Sequence, residues 1–408
     1  MQSQSADRRP LRVGLLAWDY PPTGTGLATA AREVAESLAA RGADVRVLVL
    51  DRTDDDRVGK VRVVGAGRCL DDDLSALRRR SGTGHLAAPA AFARAVRAAH
   101  AARPFDVIEA TNWYAPGACV PKLGLPLVTR CSTPVTSTAK IEGPRDVFDI
   151  RAAAALEHAQ ARASAGIASN THHHALKMAS LYGVAAPGGA GVPHAVIGLS
   201  LPPGTPTDVA APPPGPPHRL LFVGRPTRRK GFDAVADAAR RLGPTYQLRL
   251  VGVEPDAGLP PNAVALGRVG DAELLAELAL SHAVLAPSRY ESFGLVYQEA
   301  IAAGRPVIAC ADDPAARAFV ATAGTGVLAA ECTGEGVAAA ARALLAVPAR
   351  YANARAACAA ARTRFSRARL GAETEALYRA ALQGRNGVSS ARSSPRRAVS
   401  VAPSDMAS

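Results

Sequence analysis

Apolar residues recur along this chain in two rhythms. Short apolar runs bounded by glycine, proline or aspartate read as buried strands, and longer stretches in which alanine, leucine and valine return every three or four positions read as helices. The pattern predicts strands over residues 11–18, 44–50 and 61–64, with a helix over 26–41 between the first two. It continues through a helix near 86–102, strands at 105–109 and 125–131, a helix near 150–162, a strand at 165–169 and a helix over 171–182. Such alternation predicts an α/β domain built on a parallel sheet.

Residues 201–217, LPPGTPTDVAAPPPGPP, can form neither helix nor central strand and read as a linker. They divide a first domain, 11–200, from a second α/β domain over 218–364. Residues 365–383 read as a final helix with Leu370, Ala372, Leu377 and Tyr378 on its apolar side. The tails, 1–10 and 384–408, lack a hydrophobic period and are expected to be disordered.

The segment 284–310, VLAPSRYESFGLVYQEAIAAGRPVIAC, carries the most chemistry. It reads as a strand, a turn, a helix beginning near Ser292–Phe293 and a stop at Gly304. Glu291 precedes the helix and Glu299 lies eight residues on, ~12 Å along the axis at the helical rise. That is roughly the reach of a nucleotide-sugar from hexose to ribose, and each carboxylate can accept two hydrogen bonds from a vicinal diol. The N–H groups of Phe293, Gly294 and Leu295 would favour a phosphate between the two diols, with Gly294 allowing close approach. Against this stands a plain alternative, in which Glu291 caps the helix and Glu299 faces solvent. A second element weighs against that alternative. Residues 220–231, LLFVGRPTRRKG, read as a buried strand, a glycine, a basic loop and a helix start, the layout of an anion site at the carboxyl edge of a parallel sheet. Arg225 offers a bidentate fork and Lys230 a point charge, a pair suited to a diphosphate, while Arg228 and Arg229 read as solvated surface charges.

The pairing of GRPTRRKG with PSRYESFGLVYQEAIAAGRPVIA resembles the donor half of family 4 of the retaining glycosyltransferases. The resemblance implies the GT-B fold, two Rossmann-like domains facing across a cleft. The family's E-x7-E motif falls on Glu291 and Glu299, and its G-R-x4-K-G motif on Gly224, Arg225, Lys230 and Gly231. It implies that Arg225 and Lys230 hold the donor diphosphate, Glu299 the ribose hydroxyls and Glu291 the transferred sugar. The loop from Gly24 through Gly26 to Leu27 would face the donor phosphate or acceptor across the cleft. With the donor in the second domain, the acceptor falls to the first, where Asp19 and Tyr20, Glu109 with Asn112 and Trp113, and Arg130 with Ser132 and Thr133 stand at strand ends. Ser132 stands where many members resembling this family carry histidine, which implies a different subgroup. The implied activity is transfer of a hexosyl or pentosyl group from a nucleoside diphosphate sugar to a hydroxyl with retention. The acceptor is read as a cyclitol or aminocyclitol of secondary metabolism such as antibiotic biosynthesis, with a lipid-linked or polysaccharide acceptor as runner-up.

Other constellations read as weaker. Gly24-Thr25-Gly26 lacks the third glycine of a dinucleotide fingerprint, which Thr29 replaces. The triplets Asp54–Asp56 and Asp71–Asp73 have a metal-binding spacing but sit in polar loops, so no metal or cofactor is expected. His172, His173 and His174 point 100° apart on a helix and cannot share one ion well. A GT-B nucleotide-sugar epimerase and a sugar-nucleotide-binding regulator without turnover remain as rivals, the first distinguished by product formation without acceptor.

At 408 residues, the chain exceeds the length at which single cores usually split. The net charge of +13 comes from 48 basic residues of which five are lysine, a bias that with heavy alanine use suggests a GC-rich bacterial genome. These arginines are interleaved with alanine and lack RNA-module aromatics, so no nucleic-acid partner is expected. The expected partners are a nucleotide-sugar and a small-molecule acceptor, with peripheral membrane contact left open. Six cysteines form no C-x-x-C pair, and neither a signal peptide nor a spanning run is visible, so a cytoplasmic protein is expected.

Overall fold

The computed structural model describes residues 9–392 apart from 23–24, 144–145, 206, 208, 211, 214 and 256–257, with side chains as far as Gly384 except at 271. Chain order begins β1 (Arg12–Ala17), α1 (Gly26–Ala40), β2 (Asp44–Val49), β3 (Asp56–Val58), β4 (Val61–Gly65), α2 (Asp72–Arg78) and α3 (Ala87–Ala102). It goes on through β5 (Val107–Thr111), β6 (Leu127–Arg130), α4 (Val135–Glu142), α5 (Val147–Ala163), β7 (Gly166–Ser169), α6 (His172–Tyr182) and β8 (His194–Val196). These strands form one sheet in the order β3-β4-β2-β1-β5-β6-β7-β8, parallel except where β3 meets β4.

A second alternation follows: β9 (His218–Val223), α7 (Phe232–Leu242), β10 (Tyr246–Val251), β11 (Ala263–Gly267), α8 (Asp271–Leu280) and β12 (Ala283–Ala286). Then come α9 (Leu295–Ala302), β13 (Val307–Cys310), α10 (Pro314–Ala316), β14 (Gly326–Ala329), α11 (Gly334–Leu345), α12 (Pro348–Ala361) and α13 (Arg367–Arg392). The second sheet is parallel throughout, ordered β11-β10-β9-β12-β13-β14. Its winding reverses between β9 and β12, and in open α/β sheets such a switch point opens a crevice beyond the carboxyl ends of the strands. The loops of residues 224–231 and 287–294 leave those two ends.

The last helix crosses to the first domain. Leu370, Leu377, Tyr378 and Ala381 join the apolar cluster that holds Val13, Val34 and Leu38. Arg367 makes a bidentate pair with the fully buried Glu33 at 2.7 and 2.6 Å. Within 201–217 three carbonyls lie on the second domain, where Ala210 accepts from Arg305 and Val209 from Arg355, and Pro213 meets His282.

Some expectations are corrected. The acidic triplet at 54–56 leads into the edge strand β3, whose mostly exposed residues carry no apolar alternation to reveal it, and Asp55 accepts from the Gly65 N–H at 3.0 Å. Asp71 caps α2 by accepting from the Leu74 N–H at 3.0 Å. Helix α5 begins three residues before the expected Ile150 because Asp146 accepts from the N–H groups of Phe148 and Asp149. Helix α13 runs past the expected end at 383 to Arg392, and 393–408 and the first eight residues lie outside the described residues. Among the described residues no helix is long and apolar enough to cross a membrane.

Candidate functional site

Gly231 sets the geometry. It caps α7 in the left-handed region, and a Cβ placed on it would stand 2.1 Å from the Pro287 carbonyl oxygen. Only glycine lets the loop after β9 press this closely on the loop after β12. That contact brings Lys230 to Glu291, with Nζ 2.6 Å from Oε1. The same oxygen accepts from Ser288 Oγ at 3.0 Å and from Arg229 Nη1 at 3.4 Å. Burial would raise the Glu291 pKa, but the two cations and the hydroxyl outweigh it and hold the carboxyl below its ordinary range. Arg229 is therefore not the solvated surface charge expected. Its guanidinium also donates to the Tyr290 carbonyl, and its N–H donates to Glu142 Oε1 at 2.8 Å across the cleft.

Helix α9 begins at Leu295 rather than at 292–293, because Gly294 adopts the left-handed conformation that caps it. Phe293 precedes the cap and lies outside the helix. Its side chain belongs to the apolar cluster of Ala30 and Val34 on α1, and the free N–H groups of the helix proper begin at Leu295. Gly294 is buried, and Gly26 opens α1 on an exposed turn. A Cβ on Gly26 would stand 3.8 Å from Leu295 Cδ1, so the starts of α1 and α9 converge from opposite walls of the cleft. Both helix starts present positive dipole ends. The Thr133 and Ser292 hydroxyls meet nearby at 3.3 Å. Gly224 ends β9 beside the Lys230 stem, and Arg225 is exposed with no side-chain partner among the described residues. Glu299 lies half-buried in α9.

Sequence reasoning missed Asp313. Fully buried at the start of α10, it accepts from the Glu291 N–H at 2.8 Å, the Ala315 N–H at 3.1 Å and the Tyr297 hydroxyl. Burial and the neighbouring Glu291 push its pKa up to about 7. The available signal was the Asp-Pro pair at 313–314, a common helix opening.

The residues expected to bind acceptor separate into two kinds. Asp19 stands half-buried beyond β1, its pKa raised by burial and by Asp51 despite a hydrogen bond from Thr25. Glu109, Asn112 and Ser132 are instead buried and engaged in hydrogen bonds within the domain. Glu109 accepts from Arg130 at 2.8 and 3.0 Å and from the Tyr378 hydroxyl at 2.8 Å. Asn112 holds the Ser132 N–H and hydroxyl and donates to the Tyr182 hydroxyl. These side chains tie strand ends together, and Glu109 and Arg130 also line a pocket shared with Trp18, Leu27 and Phe293. Gly24 lies outside the described residues.

Two family descriptions match this chain, "Glycosyl transferase 4-like domain" over residues 25–190 and "Glycosyl transferases group 1" over residues 208–362. D-inositol 3-phosphate glycosyltransferase 1 of Catenulispora acidiphila is 31% identical over 283 residues, a stretch covering 62% of this chain and 64% of that protein. A 41.2 kDa protein of the Klebsiella pneumoniae cps region is 36% identical over 105 residues, 22% of this chain and 26% of its own. The aligned stretches thus span less than two thirds of these relatives' lengths. The same architecture appears in sucrose-phosphate synthase from Thermosynechococcus elongatus, with TM-score 0.68, 20% identity and coverage of 93% of this chain and 100% of that one. Anabaena HepE in complex with UDP and glucose overlays with TM-score 0.60 at 18% identity, over 93% of this chain and 100% of that one. With family matches on both halves and two Rossmann-like domains facing across a cleft, the chain belongs to the GT4-like glycosyltransferases of GT-B fold.

Proposed function

We propose that the chain moves a sugar from a nucleoside diphosphate sugar to a hydroxyl acceptor in the interdomain cleft, with retention and without a metal. The observation that carries this reading is the cluster at the sheet's switch point, where Lys230, Arg229 and Ser288 surround one oxygen of Glu291. Departure of a diphosphate builds negative charge. Arg225, Lys230 and the N-terminus of α9 supply positive charge to meet it. Lys230 would turn from Glu291 to the diphosphate or bridge the two, leaving Glu291 to accept from the sugar hydroxyls. Glu299, further along α9, would take the ribose diol. No side-chain nucleophile is assigned, and the leaving phosphate itself accepts the acceptor proton in this scheme.

The acceptor is read as a cyclitol or related small polyol used in the cytoplasm, a reading supported by the inositol phosphate in the name of the Catenulispora relative. Lipid-linked and polysaccharide acceptors form the competing class. A thermal-shift screen over nucleotide-sugars identifies the donor, since bound ligand raises stability by mass action. The anomeric proton of the product, followed by NMR with and without chelator, then tests the chemistry. An inverted product, activity restored by manganese after chelation, or turnover without any acceptor would each overturn the reading. Glu299→Gln is expected to raise donor KM more than acceptor KM, by a loss of ~1–3 kcal/mol. Equal damage to both would remove Glu299 from the ribose site.

A further inference from the structure

Three of the exposed large hydrophobic residues gather on one face of the first domain: Leu86, Val147 and Phe148, the last 64% exposed. Leu86 is far in sequence from Val147 and Phe148, but the fold joins them. The Gly82 N–H donates to Asp149 Oδ1 at 2.8 Å, the Ser81 hydroxyl donates to Asp146 at 2.6 Å, and His85 Nε2 lies 2.9 Å from Asp149. The Phe148 ring lies over Gly82, where an added Cβ would stand 2.2 Å from it. Its outer face is left to water.

Immediately before this turn comes Arg78-Arg79-Arg80, all three exposed and without side-chain partners among the described residues. The neighbouring acids Asp146 and Asp149 are engaged, the first capping α5 and the second holding Gly82 and His85. The face thus presents unpaired cations beside an apolar tip. It also adjoins the cleft. His85 stacks on Tyr114, in the loop after β5, with ring centroids 5.2 Å apart, and Val147 follows Glu142, which accepts from the Arg229 N–H.

The face combines three arginines without side-chain partners among the described residues with an exposed phenylalanine. An anionic lipid surface calls for both, since arginines attract the headgroups while an aromatic and an aliphatic side chain enter the acyl boundary. We propose that this face, Arg78–Arg80 with Leu86, Val147 and Phe148, docks the protein reversibly on an anionic bilayer with the cleft mouth beside the membrane. The docking is separate from the transferase reading, because it can be measured without donor or acceptor.

The test is co-sedimentation of the full chain with vesicles of phosphatidylcholine, with and without phosphatidylglycerol. Binding is expected to the anionic vesicles only. Val147→Ser with Phe148→Ser, and separately Arg78→Glu with Arg79→Glu and Arg80→Glu, should each weaken partition about tenfold or more. Circular dichroism and the nucleotide thermal shift, unchanged in both variants, would show that fold and donor site are intact. Absence of binding to anionic vesicles overturns the proposal. So does binding that survives the Val147 and Phe148 changes, which would assign adsorption to charge elsewhere, including the arginines after 384. If the wild type ignores vesicles and the same changes dissociate a dimer in light scattering, the face belongs to a second copy of the chain instead.

Discussion

Lys230 Nζ lies 2.6 Å from Glu291 Oε1, so the cation expected to hold the diphosphate and the carboxylate expected to hold the sugar form one ion pair. Removing either member changes the charge of the other's surroundings. Lys230→Ala strips the shortest of the contacts to Glu291 and one of the cations facing the donor. Breaking a desolvated charge pair costs ~2–5 kcal/mol, so kcat/KM should fall roughly 30-fold to several thousandfold. Steady-state kinetics on a folded variant that match the wild type would remove Lys230 from the site.

Asp313 acts on this pair from behind, through the Glu291 N–H. Asp313→Ala leaves that N–H, the Ala315 N–H and the Tyr297 hydroxyl without their acceptor, at a cost of ~1–3 kcal/mol per buried group. Donor KM should rise about tenfold, and Asp313→Asn, which keeps one acceptor oxygen, should recover part of it. Stability loss in the alanine variant with an unaltered donor KM would make Asp313 a purely structural residue.

Tyr378 and Glu109 tie α13 to the first sheet, and their predicted effects are on folding. Tyr378→Phe should lower the unfolding free energy by ~1–2 kcal/mol in urea titration and leave acceptor KM unchanged. Glu109→Gln, which leaves the buried Arg130 without its anion, should cost ~3–5 kcal/mol. A change confined to acceptor KM would return Glu109 to the acceptor site.

Glu157 gives a pH dependence of defined sign. Nearly wholly buried, it accepts from the Tyr114 and Val135 N–H groups and the Tyr182 hydroxyl, and burial pushes its pKa up to about 7 against these bonds. The folded state therefore keeps this proton where the unfolded chain, titrating near ~4.3, has lost it. Its contribution to stability is complete below that value and is lost as pH rises towards about 7. Glu157→Gln has no proton to lose, so the melting temperature of the variant minus that of the wild type should climb across this window and flatten above it. A difference independent of pH would mean that Glu157 titrates as it does in the unfolded chain.

The strand and helix pattern was legible because each buried strand of a parallel sheet is nearly continuous in apolar residues. Runs such as 220–223 and 283–286 leave few alternatives. Legible for the same local reason were the strand-glycine-cation run ending at Gly231 and the glutamate spacing of 291 and 299, since motifs of backbone turns and charges are written in consecutive residues. Strand β3 was not legible, because an exposed edge strand three residues long has no buried face to impose a period. Nor was the start of α9, where Gly294 could serve equally as an interior residue or as the cap it is.

The sequence also could not sort the polar residues at strand ends. Asp19, Glu109, Asn112 and Ser132 look alike as side chains at the carboxyl edge of a sheet, and their different fates depend on residues brought from elsewhere. Tyr378 arrives on a helix more than 250 positions away to occupy Glu109, while Tyr182 arrives to occupy Asn112. The same holds in the second domain, where Asp313 reaches Glu291 and Arg229 leaves solvent for it. Propensity and motif act along the chain. Which carboxylate is spent inside the protein and which remains for a ligand is a matter of packing between distant segments, because a buried charge persists only where a partner from another element meets it.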